Sequence, residues 1–252
     1  MGRITDTVKT LLIINVIFFV GALSLGDTAF RLFALWFPKN ENFQIWQIIT
    51  HMFMHSQTTF THIFFNMFML YMFGSHLEYS IGRKKFLFLY FSSGLGAAGL
   101  QILFTYFQFL PGYQAYQEAG FSAIEIENFL NNALTTGKFV VYPNIPQEVT
   151  QQMIGSYLTP MVGASGAISG VIAAFAVLYP NLPLYLMFIP VPIKAKYLVA
   201  GYFVLDLFGG ITGQSIYGAT NVAHWAHIGG AIIGFITMWY WKKNSFNQNR
   251  WN

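Results

Sequence analysis

A serine and a histidine stand out in this sequence because each lies at the edge of an apolar segment that could enter a membrane. Ser165 lies in the turn Gly163-Ala164-Ser165-Gly166, and His227 follows Ala226 at the start of another apolar run. Polar and ionisable residues are costly inside a bilayer and usually serve a function there. A serine hydroxyl and an imidazole can form a nucleophile and its general base. The pair therefore indicates nucleophilic chemistry at a membrane.

The composition is that of a protein that crosses the membrane several times. Hydrophobic residues make up 55% of the 252 residues and charged residues only 9%, whereas a soluble protein carries about 25% charged residues. The absence of cysteine excludes disulfides, thiolate catalysis and cysteine-based metal sites. No basic patch is interleaved with aromatic residues, so we expect no nucleic-acid partner.

Six segments are apolar enough to cross a bilayer, which takes about 20 apolar residues each. They are residues 10–25, 60–79, 86–109, 162–179, 195–211 and 223–241. No small-residue cleavage site precedes Asp27, so we expect the first segment to be retained. The apolar run 182–191 is flanked and broken by prolines and is predicted to be a re-entrant or interfacial connection. The predicted fold is an all-α membrane bundle.

Basic residues indicate the orientation of this bundle. With the N-terminus in the cytoplasm, only Arg31, Lys39 and Lys138 of the 13 lysines and arginines lie outside. Cytoplasmic loops carry the excess of positive charge, so both termini are predicted to be cytoplasmic.

Two outer connections are long. Residues 26–59 are rich in aromatic residues, which favours a segment lying in the membrane interface. Residues 110–161 contain Ser122-x-x-Glu125, a capping box, followed by apolar residues at helical spacing up to Gly137. We expect an amphipathic helix on the outer surface there, and a second helix over 147–158 after Pro146.

The polar residues of the second, fourth and sixth segments share one depth. His62 and Asn66 lie four residues apart on one face of the second segment, while Ser165 and His227 open the fourth and sixth. All four lie near the outer end of their segments. A helix N-terminus at Ser165 offers free N–H groups to an oxyanion, and Asn66 and His62 can add donors.

Glycines predict how these helices approach one another. Gly166 and Gly170 are four residues apart on the fourth segment, and Gly230 and Gly234 are four apart on the sixth. Small residues at this spacing let membrane helices pack closely. Packing the two faces together brings Ser165 near His227.

Each feature also has a structural interpretation. The serine turn alone is compatible with helix packing, and Asn66 with a hydrogen bond between helices. Glu78 could be solvated at the inner end of its helix. Asp206 has no firm role and could lie near the outer end of its helix or form a hydrogen bond within the bundle. We expect interfacial or structural roles for the remaining histidines, which are His51, His55, His76 and His224.

Taken in order along six helices, these motifs resemble those of the rhomboid intramembrane serine proteases. The resemblance covers nearly the whole chain, from the first helix to the sixth. Its motifs are His62-x-x-x-Asn66, Gly74-x-x-x-Glu78-x-x-x-Gly82, Gly163-x-Ser165-Gly166 and Ala226-His227-x-x-Gly230-x-x-x-Gly234.

The resemblance implies a single six-helix rhomboid domain over residues 1–252 and an activity. Ser165 is expected to be the nucleophile and His227 the base, as a dyad without an acidic member. His62, Asn66 and the N–H of Ser165 are expected to form the oxyanion hole. Gly74, Glu78 and Gly82 are expected to be structural. Substrates are expected to be transmembrane proteins in the lipid bilayer, with no metal or organic cofactor, and the location a bacterial inner membrane with the site open to the outer side.

Three departures from the family pattern stand out. Gln47 follows Trp46 where the family often has arginine, and Ser169 occupies a position where an aromatic ring often packs on the histidine. The connection 110–161 is long and could cap the site, contact substrate or be a neutral insertion.

On the fifth helix, Phe203, Leu207 and Phe208 form a candidate gate for substrate.

Two other functions remain open from the sequence. A catalytically silent relative could bind membrane proteins, although such members usually lack the serine or the histidine. A transporter could use the same polar residues as a path, although transporters place polar groups near the midplane or in repeated halves.

Overall fold

The computed structural model describes residues 3–185, 191–213 and 223–248, with side chains up to Asn244. Helices dominate this part of the chain. They are α1 Asp6–Leu25, α2 Asp27–Phe33, α3 Gln47–Thr50, α4 Phe60–Met69, α5 Ser75–Ile81, α6 Arg83–Glu118, α7 Ala123–Thr136, α8 Gln147–Leu158, α9 Ser165–Leu178, α10 Ala195–Thr212 and α11 His224–Gln248.

Short irregular elements join some of these helices. A 3₁₀ turn, His51–Phe53, follows α3, and a π-helical turn, Leu70–Gly74, links α4 to α5. The strands β1, Pro183–Leu184, and β2, Ile193–Lys194, pair antiparallel. They flank the predicted re-entrant run 182–191, of which residues 186–190 lie outside the described residues.

Several helices are apolar enough for a membrane. Among the described residues, α1, α6 and α10 meet the length and composition of a span, and α9 is a shorter apolar helix of 14 residues. The predicted third segment, 86–109, was too short. Helix α6 has 36 residues, about 54 Å at 1.5 Å per residue, so it extends well beyond a hydrocarbon core of about 30 Å.

Helix α5 is joined to α1 by a buried carboxylate. Glu78 is 7% exposed. It accepts hydrogen bonds from the Val8 N–H at 3.1 Å and from the Thr5 hydroxyl at 2.5 Å. These bonds satisfy free donors at the start of α1. The interpretation of Glu78 as a solvated residue was therefore wrong, because its carboxylate joins α5 to α1.

Glycines set the spacing of α9 and α11. A Cβ on Gly230 would lie 1.9 Å from the Gly166 carbonyl oxygen, and a Cβ on Gly234 would lie 2.1 Å from that of Gly170. On its other side, Gly170 faces Ser93 of α6, whose Oγ a Cβ would meet at 2.0 Å. The backbones of α9 and α11 are thus in contact along the two predicted faces. No side chain larger than hydrogen fits between them at these points.

The long outer connection forms a small core of its own. As predicted, Ser122 and Glu125 form a capping box, and α7 ends at Gly137 with φ of 67°. The buried face of α7 packs against α8 and the C-terminal part of α6. The buried residues of this cluster are Phe37, Phe109, Tyr116, Ile126, Leu130, Ala133, Ile145, Met153, Ile154 and Tyr157.

The first outer connection is organised around Gln47. This side chain is completely buried. Its Oε1 accepts from the N–H groups of Trp36 at 3.3 Å and Gln44 at 3.1 Å, and its Nε2 donates to the carbonyls of Arg31 at 2.9 Å and Asn42 at 2.8 Å. The uncharged amide of Gln47 thus bonds both to N–H donors and to carbonyl acceptors of the loop, at a position where the family often has arginine.

Candidate active site

The turn before Ser165 is held by the first outer connection. Leu35 and Met161 exchange two backbone hydrogen bonds, of 2.9 and 2.8 Å. The N–H of Gly163 donates to the His51 carbonyl at 3.0 Å, and Gly163 has φ of 126°. That conformation strongly favours glycine. Helix α9 begins two residues later, with Ser165 as its first residue.

Ser165 and His227 are in direct contact. The Ser165 Oγ lies 2.9 Å from His227 Nε2, which is within the range of a good hydrogen bond. Each residue lies close to the glycine contacts between α9 and α11, so helix packing sets this distance. The serine is therefore placed to donate its proton to the imidazole.

The other side of the imidazole meets a carboxylate from α10. His227 Nδ1 lies 3.1 Å from Asp206 Oδ2 and 3.2 Å from Oδ1. Asp206 Oδ1 also lies 2.6 Å from His224 Nδ1. Asp206 has no exposed surface. A hydrogen bond of Asp206 within the bundle was one of the two alternatives from the sequence, and the structure shows it. The contact of His224 with Asp206 was not predicted.

An aromatic ring from α10 packs on the histidine. The rings of Tyr202 and His227 are stacked, with centroids 6.3 Å apart and an angle of 30° between planes, and the Tyr202 hydroxyl lies 3.3 Å from His227 Nδ1. Tyr202 thus supplies a ring that packs on His227, which Ser169 cannot do. Tyr202 and Asp206 are four residues apart, on one face of α10. This spacing was the signal in the sequence that could have indicated their role, but it does not show which helix that face of α10 contacts.

His62 faces the same space from α4. Its Nδ1 lies 3.2 Å from the Ser56 N–H and accepts a hydrogen bond from it. A neutral imidazole that accepts at Nδ1 carries its proton at Nε2. A Cβ on Gly163 would lie 3.1 Å from His62 Nε2 and 3.4 Å from Ser165 Oγ. The His62 donor and the serine oxygen therefore border the small space beside Gly163.

Asn66 lies one turn further along the same face. Its Nδ2 donates to the His62 carbonyl at 2.8 Å, and the residue is 6% exposed. A carboxamide carries two N–H donors, so one hydrogen fixes the side chain and the second is available. The described structure gives no hydrogen bond from Asn66 to Ser165.

Two further histidines lie in the outer loop near the site. Burial lowers the pKa of His51 to about 4 and that of His55 to about 3. Both are therefore neutral at physiological pH and contribute no charge near Ser165. His51 Nδ1 lies 2.8 Å from the Gln47 carbonyl, so His51 supports the loop that holds Gly163. Within the described residues, no group of three metal-ligating side chains is placed to hold a metal ion.

Comparison with known families accounts for this arrangement. Residues 42–244 match the sequence model of the Rhomboid domain. The chain belongs to the rhomboid family. A relative is "RHOMBOID-like protein 12, mitochondrial" of Arabidopsis thaliana, with 28% identity over 186 residues, which are 73% of this chain and 44% of that protein. The chain thus spans less than half the length of this relative. Its family and its apolar helices make this rhomboid an integral membrane protein.

Proposed function

We propose that this rhomboid is a serine endopeptidase that hydrolyses peptide bonds in or near the transmembrane segments of other proteins. The observation that carries the proposal is the 2.9 Å contact between Ser165 Oγ and His227 Nε2. A hydroxyl is a weak nucleophile until a base takes its proton. Both parts of such a pair are present, in contact and on helices locked together by glycine.

The proposed reaction has two stages. His227 Nε2 takes the proton of Ser165 as the oxygen attacks the substrate carbonyl, and then gives that proton to the leaving amine. The acyl-enzyme is hydrolysed by water, which His227 deprotonates in turn. The acyl C–O bond breaks, and the proton returns to Ser165. No cofactor takes part in either stage.

The proposed oxyanion hole lies at the start of α9. The N–H of Ser165 is one of the free donors of a helix N-terminus. Nε2–H of His62 borders the same space, and the second amide hydrogen of Asn66 can turn towards it. Removing one such donor typically lowers turnover by about 100- to 1000-fold.

The position of the site addresses the need for water. Bilayer interiors exclude water, and polar backbone is tolerated there only where it lines protein or a cavity. In the proposed six-span topology, with both termini cytoplasmic in a bacterial inner membrane, Ser165, His227 and His62 lie near the outer ends of their helices. Water enters from the outer side, and a transmembrane substrate approaches sideways past α10. Phe208 and Leu207 are 49% and 43% exposed on that helix.

The test is cleavage of an embedded substrate. The wild-type protein, Ser165→Ala and His227→Ala are reconstituted in liposomes with a fluorogenic protein that has one transmembrane segment. We expect cleavage by the wild type and a loss of at least about 1000-fold in both variants. Equal rates for all three would exclude the protease. Binding of the substrate without cleavage by any of them would favour the catalytically silent alternative.

A further inference from the structure

We propose that Asp206 is a positioning residue for His227, so that the site works as a Ser165–His227–Asp206 triad rather than as a dyad. The proposal deepens the proposed function and rests on it. It assigns a task to a buried carboxylate in α10 that the family motifs leave out.

The hydrogen bonds around Asp206 are those of an ionised carboxylate. Its two oxygens face His224 Nδ1 at 2.6 Å and His227 Nδ1 at 3.1 Å. An ionised carboxylate only accepts hydrogen bonds, so each imidazole donates its Nδ1–H. A buried charge is expensive unless it is paired and hydrogen-bonded. The two N–H donors compensate that cost at a site with no exposure to solvent.

This arrangement fixes the tautomer of His227. With the proton on Nδ1 and directed at Asp206, the lone pair of Nε2 points at Ser165 Oγ, 2.9 Å away. Only this tautomer can accept the serine proton. When the proton arrives, His227 becomes an imidazolium, and the carboxylate beside it stabilises the positive charge. The carboxylate itself stays ionised throughout, and it touches neither substrate nor reacting atoms.

His224 holds the Asp206 carboxylate in place. It lies on α11, about one turn before His227. The contact depends on Gly209, because a Cβ there would lie 2.6 Å from His224 Nε2. Next to it, Trp225 Nε1 donates to the Gly210 carbonyl at 3.2 Å. Gly209 and Gly210 therefore let His224 and Trp225 pack against α10. They bring Asp206 within reach of both histidines.

The decisive variant is Asp206→Asn, which keeps the shape of the side chain. Its amide can donate to His227 Nδ1 and so favour the wrong tautomer. We expect kcat to fall by at least about 100-fold, towards the roughly 10⁴-fold loss known for the same change in soluble triads. We expect KM for the embedded substrate and the thermal midpoint to stay close to wild type. The matched control Asp27→Asn makes the same change at an exposed aspartate of α2 and should leave kcat unchanged.

The outcomes separate this inference from the proposed function. If the wild type is no faster than Ser165→Ala, the protease proposal fails. If the wild type is active and Asp206→Asn keeps kcat within about tenfold, equivalent to 1.4 kcal/mol, the triad is wrong and the dyad stands.

A measurement on the wild-type protein covers the case in which Asp206→Asn does not fold. Nitrogen-15 NMR of histidine-labelled protein, with His227→Ala to assign the signals, reports which ring nitrogen carries the proton. The triad requires the Nδ1 proton of His227 to be hydrogen-bonded to the Asp206 carboxylate, which moves its proton signal far downfield of that of an imidazole N–H bonded to water. An Nδ1–H signal without this downfield shift would overturn the proposal and leave the dyad standing.

Discussion

Helices α9 and α10 both contribute to the site, but they are held in place in different ways. Helix α9 is buried along almost its whole length, from Gly166 to Phe175, and its glycines touch the backbone of α11. Helix α10 buries only Ala195, Val199, Asp206 and Gly209. Its C-terminal half is joined to α11 by polar contacts.

The difference separates two tasks. Backbone contact between α9 and α11 sets the distance between Ser165 and His227. This distance can change very little, because the two backbones are already in contact. Hydrogen bonds and ring stacking from α10 orient the base, and these contacts can break and form again. A substrate that entered by displacing α10 would remove Asp206 and Tyr202 from His227. The site would then be complete only after α10 returned.

The largest effect is expected from breaking the backbone contact. Gly230→Ala places a methyl group where only 1.9 Å separates it from the Gly166 oxygen, so α9 and α11 must move apart. A misplacement of about 1 Å can cost roughly 100-fold in rate, and overpacking typically costs about 1–3 kcal/mol of stability. Turnover and thermal midpoint should both fall.

Gly201→Ala is the matched control on α10, where a Cβ meets nothing within 4 Å. It should keep full activity and gain about 0.5–1 kcal/mol of stability. If Gly230→Ala behaved like this control, the backbone contact would not set the geometry of the site.

The next largest effect concerns stabilisation of the oxyanion. His62→Ala removes the donor beside Gly163 and should lower kcat by about 100- to 1000-fold with little change in KM. His76→Ala, at an exposed position of α5, should leave kcat unchanged. A normal kcat for His62→Ala would exclude His62 from the oxyanion hole.

A smaller effect should distinguish the ring of Tyr202 from its hydroxyl. Stacked aromatic pairs contribute about 0.5–1.5 kcal/mol, so Tyr202→Ala should lower kcat by about 2- to 12-fold. Tyr202→Phe keeps the stacked ring and should stay within about twofold of wild type. The reverse order of the two variants would mean that the hydroxyl at 3.3 Å, rather than the ring, orients His227.

The smallest effect is expected at the candidate gate. Phe208→Ala should change cleavage of an embedded substrate by a few-fold while the rate of labelling of Ser165 by a small phosphonate stays the same. Phe235→Ala on α11 removes a phenyl ring of similar exposure, 52% against 49%. Equal effects of the two changes on the embedded substrate would argue against gating by α10.

Much of the site could be predicted because its signals are local. Ser165 and His227 lie in short motifs at helix starts, and the four glycines repeat at a spacing that defines one helix face. The contact between those faces follows from the rule that small residues admit close approach. His62 and its helix face were predictable for the same reason.

The rest depended on contacts between distant segments. Asp206 and Tyr202 are polar residues in an apolar helix, and only the rotation of α10 against α11 brings them to His227. The partners of α7 could not be predicted, because an amphipathic pattern does not reveal whether the apolar face meets lipid or another helix. The part of α6 that follows Pro111 was not predicted, because its sequence is more polar than that of a membrane span.

The most direct test of the catalytic pair is phosphonate labelling. The purified protein is incubated with a fluorophosphonate, and the adduct is located by peptide mass mapping. One adduct on Ser165 is predicted, absent in Ser165→Ala and formed at least about 100-fold more slowly in His227→Ala. Labelling of Ser165 at an equal rate in His227→Ala, or no labelling of Ser165 in the wild type, would contradict the activation of this serine by this histidine.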